Sequence, residues 1–206
     1  MDCKPYIRAH ADELIESLAA LIRIPSVEGT PEDGAPYGRE VARCLEEALA
    51  LGGRMGFRTH NMDGRVGWCE YGEGDEMVAV LSHLDVVPAG DGWAEAGPFS
   101  GEVKNGRIYG RGAMDDKGPA VASLYALAAL MEAGFAPSRR IRILFGTNEE
   151  TGCGDMAWYR EHGGEMPAMG FTPDGEYPII NGEKGIMNCT YARRLHQTGA
   201  SRLTRV

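Results

Sequence analysis

The sequence predicts an α/β fold, a sheet with helices on its faces, and three observations carry that prediction. Strand-like and helix-like segments alternate along the chain. Polar residues gather directly after apolar strand-like runs, where open α/β sheets place their sites. The 206 residues, 43% hydrophobic and 25% charged, suffice for one large core, or one core plus an incomplete second unit.

The first segment, "MDCKPYIRAHADELIESLAALIRIPS", predicts one amphipathic helix, because Ile7, Leu14, Ile15, Leu18, Leu21 and Ile22 recur at helical spacing. Its charges exclude a signal peptide or a membrane span. A second helix is expected over residues 37–51, where Val41, Leu45, Ala48 and Leu49 share a face and Gly52-Gly53 provides a stop. "VGWCEY" and "MVAVLSH" read as strands, and "GEVKNGRIYG" as a hairpin whose Asn105-Gly106 pair suits a type I′ turn. A helix over residues 117–133 follows, then the strand "RRIRILFGTNEE", a shorter helix over 155–161 and a short strand in "MGFTPDGEYP". "IINGEKGIMNCTYARRL" is expected to supply a turn and a last strand near 186–191.

Cys3, Cys44, Cys69, Cys153 and Cys189 are odd in number and form no CxxC pair, so neither a disulfide framework nor a cysteine zinc site is indicated; a reducing cytoplasm is expected. The net charge of −9 is dispersed and no basic patch is interleaved with aromatics, which argues against a nucleic-acid partner.

Four polar clusters carry the chemistry. "GRGAMDDKGP" sets Asp115 beside Asp116, a repulsion that a cation, a helix N-terminus or solvent must absorb. Asp116 as the cap of the following helix is one explanation. In "LSHLDVVPAGDGW", His83 and Asp85 stand two residues apart on an extended chain and so share a face. One of them could ligate a metal while the other supports it; a hydrogen-bonded core histidine is the plainer reading. "GTNEETG" puts Glu149 and Glu150 at a strand end, a costly place for two charges without partners. "GFTPDGEYP" adds Asp174, which alone reads as a turn residue. Together they put one imidazole and several carboxylates at successive strand ends, a ligand set for hydrolytic metal chemistry.

In series, "SHLDVVPAGDGW", "GRIYGRGAMDDKGP", "GTNEETG" and "TPDGEYP" resemble the motifs of the co-catalytic dizinc aminopeptidase, carboxypeptidase and deacylase family, which includes PepV-type dipeptidases, carnosinases and acetylornithine and succinyl-diaminopimelate deacylases. "VVPAGDGW" and the long "GRIYGRGAMDDKGP" are most similar to the dipeptidase branch. The resemblance implies a three-layer sandwich around a mixed, mostly parallel sheet, incomplete at the C-terminus. It implies two Zn²⁺, with Mn²⁺ or Co²⁺ as substitutes, and hydrolysis of dipeptides by a dizinc-bridged water. His83 and Asp174 would bind one zinc, Asp115 would bridge both, and Glu150 would bind the second. Glu149 would be the general base, and Asp85 would orient the His83 imidazole. The peptide bond after the bridging aspartate is typically cis in that family. N-acyl amino-acid deacylation by the same metals, or a catalytically inactive metal-binding fragment, are the alternatives.

That family also uses a later histidine ligand and an inserted lid domain, which His10, His60, His162 and His196 do not match. Residues 1–190 are therefore expected to form the N-terminal part of a catalytic domain and 191–206 to open a lid or dimerisation domain, with self-association possible through the last strand's edge.

Overall fold

In the computed structural model the described residues are 2–175, 180–182, 185 and 190. The chain divides into two units, Met1–Gly175 and Glu176–Val206, and the elements below all belong to the first. The strand expected near 186–191 and the lid boundary at 191 lie outside the described residues.

The N-terminal apolar stripe forms two helices rather than one, α1 (Lys4–Ala9) and α2 (Ala11–Ile22). Pro5 sits in the first turn of α1, where its missing N–H costs no intrahelical bond. The break falls at His10, which leaves helical geometry and stacks on Tyr6. Its Nδ1–H donates to Tyr6 O at 2.9 Å, the carbonyl that its own backbone N–H also reaches. Helix α3 (Arg39–Arg54) runs straight through the expected Gly52-Gly53 stop. Gly52 serves packing instead: a Cβ there would collide with Cys69 Sγ on the sheet beneath. The chain turns only at Gly56, in the left-handed region at φ 89°.

Strand β1 (Arg58–Met62) was not legible in advance. It is polar, largely exposed and lacks the alternation that marks a half-buried strand. Next come β2 (Val66–Tyr71), β3 (Met77–His83) and the separate hairpin β4 (Glu102–Lys104) and β5 (Arg107–Tyr109). The hairpin turns through Asn105 at φ 52° and Gly106 at φ 72°, as a type I′ turn requires. The last elements are α4 (Lys117–Glu132), β6 (Arg140–Gly146), α5 (Gly154–Glu161) and β7 (Met169–Phe171).

The main sheet has the order β1-β2-β6-β3-β7. Both β3-β6 and β3-β7 are parallel, while β2 is antiparallel to β1 and β6. Four of these strands thus share one direction and β2 opposes them, which is the mixed, mostly parallel sheet expected. Side chains alternate between its faces. Cys69, Val80, Ile143 and Phe145 join the core beneath α2, α3 and α4, whereas Val66, Met77, Ala79 and Leu144 pack with Tyr159 of α5 on the other face. Helices on both faces complete three layers.

The α5 face holds a cluster of charges. Arg142 is 5% exposed and Glu70 8%. Arg142 Nε donates to Glu70 Oε2 at 2.8 Å, and Arg142 also reaches Glu165 and the Tyr159 hydroxyl. Its guanidinium carbon lies 4.6 Å from the Trp68 ring centroid. Burial raises the Glu70 pKa, but the hydrogen bonds and charges of Arg142, Arg58 and Arg140 outweigh it and hold the carboxyl below its usual range. Glu70→Gln is expected to cost about 2 kcal/mol at neutral pH, because the buried Arg142 guanidinium loses one of its two carboxylate partners and keeps only Glu165. A carboxyl with a depressed folded pKa stabilises above its unfolded value, about 4.3, and loses that contribution as pH falls through the folded value. The gap between wild-type and variant urea midpoints should therefore be full above about pH 5 and shrink below about pH 4.

The four described cysteines are all free. Among the described residues no helix is long and apolar enough to cross a membrane.

Candidate metal centre

Parallel strands bring their C-terminal ends to one edge, and the four polar clusters meet there. His83 is the last residue of β3, level with Gly146 of β6, and the turn after Gly146 carries Glu149 and Glu150. Val80 pairs with Phe171, the last residue of β7, and Asp174 lies three residues beyond that strand's end. Asp115 and Asp116 stand at the N-terminus of α4.

His83 Nε2 lies 3.0 Å from Asp115 Oδ1, 3.5 Å from Asp174 Oδ2 and 3.9 Å from Glu149 Oε2. Two overlapping donor groups result, His83–Glu149–Asp174 and His83–Asp115–Glu150, each with its ligand atoms within 4.8 Å of one another. The imidazole is 3% exposed. Its Nδ1–H donates to the backbone O of Asp85 at 3.0 Å, which fixes the ring so that Nε2 faces the carboxylates. The Asp85 carboxylate is 3.4 Å from Nδ1, and both of its oxygens accept backbone hydrogen bonds, from Glu149 N at 3.1 Å and Glu150 N at 3.0 Å. Asp85 thus touches the imidazole and the glutamate pair together.

The electrostatics record the crowding. Burial would lower the His83 pKa, but Asp85, Asp116 and Glu149 outweigh it and raise it to about 10. Partial burial raises the Glu149 pKa, as do Asp174, Asp85 and Asp115, against an opposing effect of His83. Burial and then Asp115 likewise raise that of Glu150. Such a set of oxygen donors around one imidazole suits divalent cations, whose charge would relieve this repulsion.

Asp116 follows a cis peptide bond with Asp115 and takes the N-cap position of α4, yet its side chain makes no capping bond. It turns inward, fully buried, and its Oδ2 accepts the backbone N–H of His83 at 3.1 Å. Burial above all pushes its pKa up to about 7. The cap reading is corrected by this geometry: the carboxylate supports the strand end that presents His83.

Three further residues shape the site without having been singled out. Lys117 is fully buried and its Nζ donates to Leu21 O and Ile24 O at 2.9 and 2.8 Å, satisfying carbonyls at the C-terminal end of α2. Asn148, 5% exposed, accepts from Gly154 N and donates to Thr151 Oγ1, closing the turn beyond the glutamates. Asp155, 1% exposed, accepts from three backbone N–H groups. For Lys117 and Asp155 a charge in a helix's first turn is the only sequence signal, and surface positions give the same one; Asn148 reads as an ordinary turn residue.

The model of peptidase family M20/M25/M40 matches residues 79–194, more than half of the chain. The chain belongs to this family. The matched span contains His83, Asp85, Asp115, Glu149, Glu150 and Asp174. Among named M20 relatives, the Bacillus subtilis protein "Putative dipeptidase YtjP" is 47% identical over 87% of this chain and 39% of its own length. The "Beta-Ala-Xaa dipeptidase" of Lactobacillus delbrueckii subsp. lactis is 38% identical over 93% of this chain and 41% of its own. The solved structure of human carnosine dipeptidase 1 superposes with a TM-score of 0.69 at 25% identity, covering 85% of this chain and 41% of that one. This M20 chain therefore spans about two fifths of the length of the relatives it matches.

Proposed function

We propose that the whole protein hydrolyses dipeptides, with two divalent cations held by this chain's carboxylates and imidazole. One observation carries the reading: four chain segments deliver one buried imidazole and four carboxylates to a single sheet edge, in two donor groups that share His83. The dipeptidase names of the relatives support the substrate class.

His83 and Asp174 would hold one ion, Glu150 the other, and Asp115 would be shared; Zn²⁺ fits this mixed N/O set, with Mn²⁺ or Co²⁺ as substitutes. Bound there, the ions would supply Lewis acidity and activate water at neutral pH. Asp85 and Asp116 hold the His83 ring and backbone, so that Nε2 stays directed at the site. Glu149, less buried than the imidazole beside it, takes a proton on its carboxylate and delivers it to the departing amine. Its raised pKa brings that group closer to the neutral range such a task needs.

The reading is tested on the whole protein with a panel of dipeptides, β-alanyl dipeptides included, against N-acetyl and N-succinyl amino acids. Dipeptides are expected to be cleaved fastest, with activity lost on chelation and restored by Zn²⁺, Mn²⁺ or Co²⁺. Faster cleavage of the N-acyl amino acids would reassign the protein to the deacylases. Stoichiometric metal uptake with no cleavage of any member would make it a metal binder.

A further inference from the structure

We infer that Asp155 is a positioning residue for the Glu149–Glu150 pair, acting through the backbone of the segment that carries them. The inference rests on the proposed roles of those two glutamates, but its structural basis lies outside their side chains.

Where β6 ends at Gly146, four successive peptide N–H groups leave the sheet ladder and need acceptors. Two buried carboxylates take all four. Asp155 Oδ2 accepts from Thr147 N at 2.5 Å and from Asn148 N at 3.1 Å. Asp85 Oδ1 and Oδ2 accept from Glu149 N and Glu150 N. The remaining Asp155 oxygen accepts from Met156 N at 2.7 Å, in the first turn of α5. The segment is therefore gripped in two consecutive pairs of amides, and the direction of each N–H sets the peptide plane from which the next side chain departs. Reacting groups need placement to within about 0.5 Å, and a strand-end turn outside the sheet ladder does not supply that unaided.

The contact is built for closeness. A Cβ on Gly146 would lie 2.7 Å from Asp155 Oδ2, so glycine there lets the carboxylate reach the amides. The chemistry also needs both oxygens. One oxygen serves two donors and the other a third; an asparagine offers one acceptor oxygen and turns an NH₂ toward whatever the other oxygen served. A residue that only capped α5 would require the Met156 contact alone.

The test compares Asp155→Asn with Gly146→Ala, whose added Cβ presses on the same oxygen and leaves the carboxylate itself intact. Amide hydrogen exchange, resolved by NMR on the metal-free protein, is read at Glu149 and Glu150, whose N–H groups bond to Asp85 and not to Asp155. In both variants exchange there should quicken at least tenfold, and Co²⁺ affinity should fall about tenfold, the scale of groups that support metal ligands. Faster exchange confined to Thr147, Asn148 and Met156, with unaltered Co²⁺ affinity, would overturn the inference and leave Asp155 a local cap of α5. If Asp155→Asn does not fold, Gly146→Ala decides by the same two readouts. Failure of the unsubstituted protein to take up Co²⁺ would sink the metal reading instead, and exchange at Glu149 and Glu150 would still decide whether Asp155 holds them.

Discussion

Glu149→Gln is expected to slow dipeptide hydrolysis by the whole protein about 1000-fold, within the span that positioned acid–base groups supply, while leaving its metal content unchanged. Glutamine keeps the shape of the side chain and one acceptor oxygen, but it cannot take up the proton and pass it to the leaving amine. The backbone contact with Asp85 involves Glu149 N and survives the substitution. Glu150→Gln should do the reverse, emptying one metal position. Geometry alone does not separate the two glutamates, because Glu149 belongs to one donor group and Glu150 to the other. Metal content measured by atomic emission beside kcat separates them. Equal metal loss in both variants would show that both are ligands and that the base lies elsewhere.

The second large effect is expected at the imidazole. His83→Ala should weaken divalent-metal binding by more than about 100-fold, since groups that only support a ligand are already worth 10- to 100-fold. His83 is the one residue common to both donor groups. Its removal leaves carboxylates alone, a set better suited to Mg²⁺ or Ca²⁺ than to Zn²⁺. Zn²⁺ titration by calorimetry reads the affinity, with the thermal midpoint alongside to show that the fold persists. Unaltered Zn²⁺ affinity would mean that the acidic residues are turn and cap residues gathered without a metal.

What the sequence disclosed follows from how local each signal is. β2 and β3 have the residues predicted for them because apolar runs at those lengths are bounded by turn residues, and the Asn105-Gly106 turn is a two-residue signal. The break at His10 and the passage of α3 through Gly52 were hidden, since a ring sharing a carbonyl and a helix lying close on Cys69 are contacts with something else. The same division runs through the site. His83, Glu149 and Glu150 stood out because charge concentrated at strand ends has few inexpensive explanations, and Asp115 because it stands beside a second aspartate; Asp174 gained weight only in their company. Asp155 and Lys117 did not, because their hydrogen bonds run to backbone groups 7 and 8 residues away in one case and 96 and 93 in the other, and side-chain type says nothing of that.

The charge cluster on the α5 face bears on the far edge of the sheet as well. Parallel pairing of β3 with β6 sets His83 opposite Gly146, and so decides how far Glu149 and Glu150 stand from the imidazole. A strand that slid by one residue would move its side chains about 3.3 Å and exchange the faces they occupy. For β6 such a slip would carry Arg142 away from Glu70 and Trp68 and into the layer now filled by Ile143 and Phe145. A lone guanidinium in that layer has no carboxylate to meet it. The ion pairs under α5 thus work as an indexing pin: they hold the reading frame of the sheet, and through it the spacing of the donor groups at its edge, from the layer under a different helix.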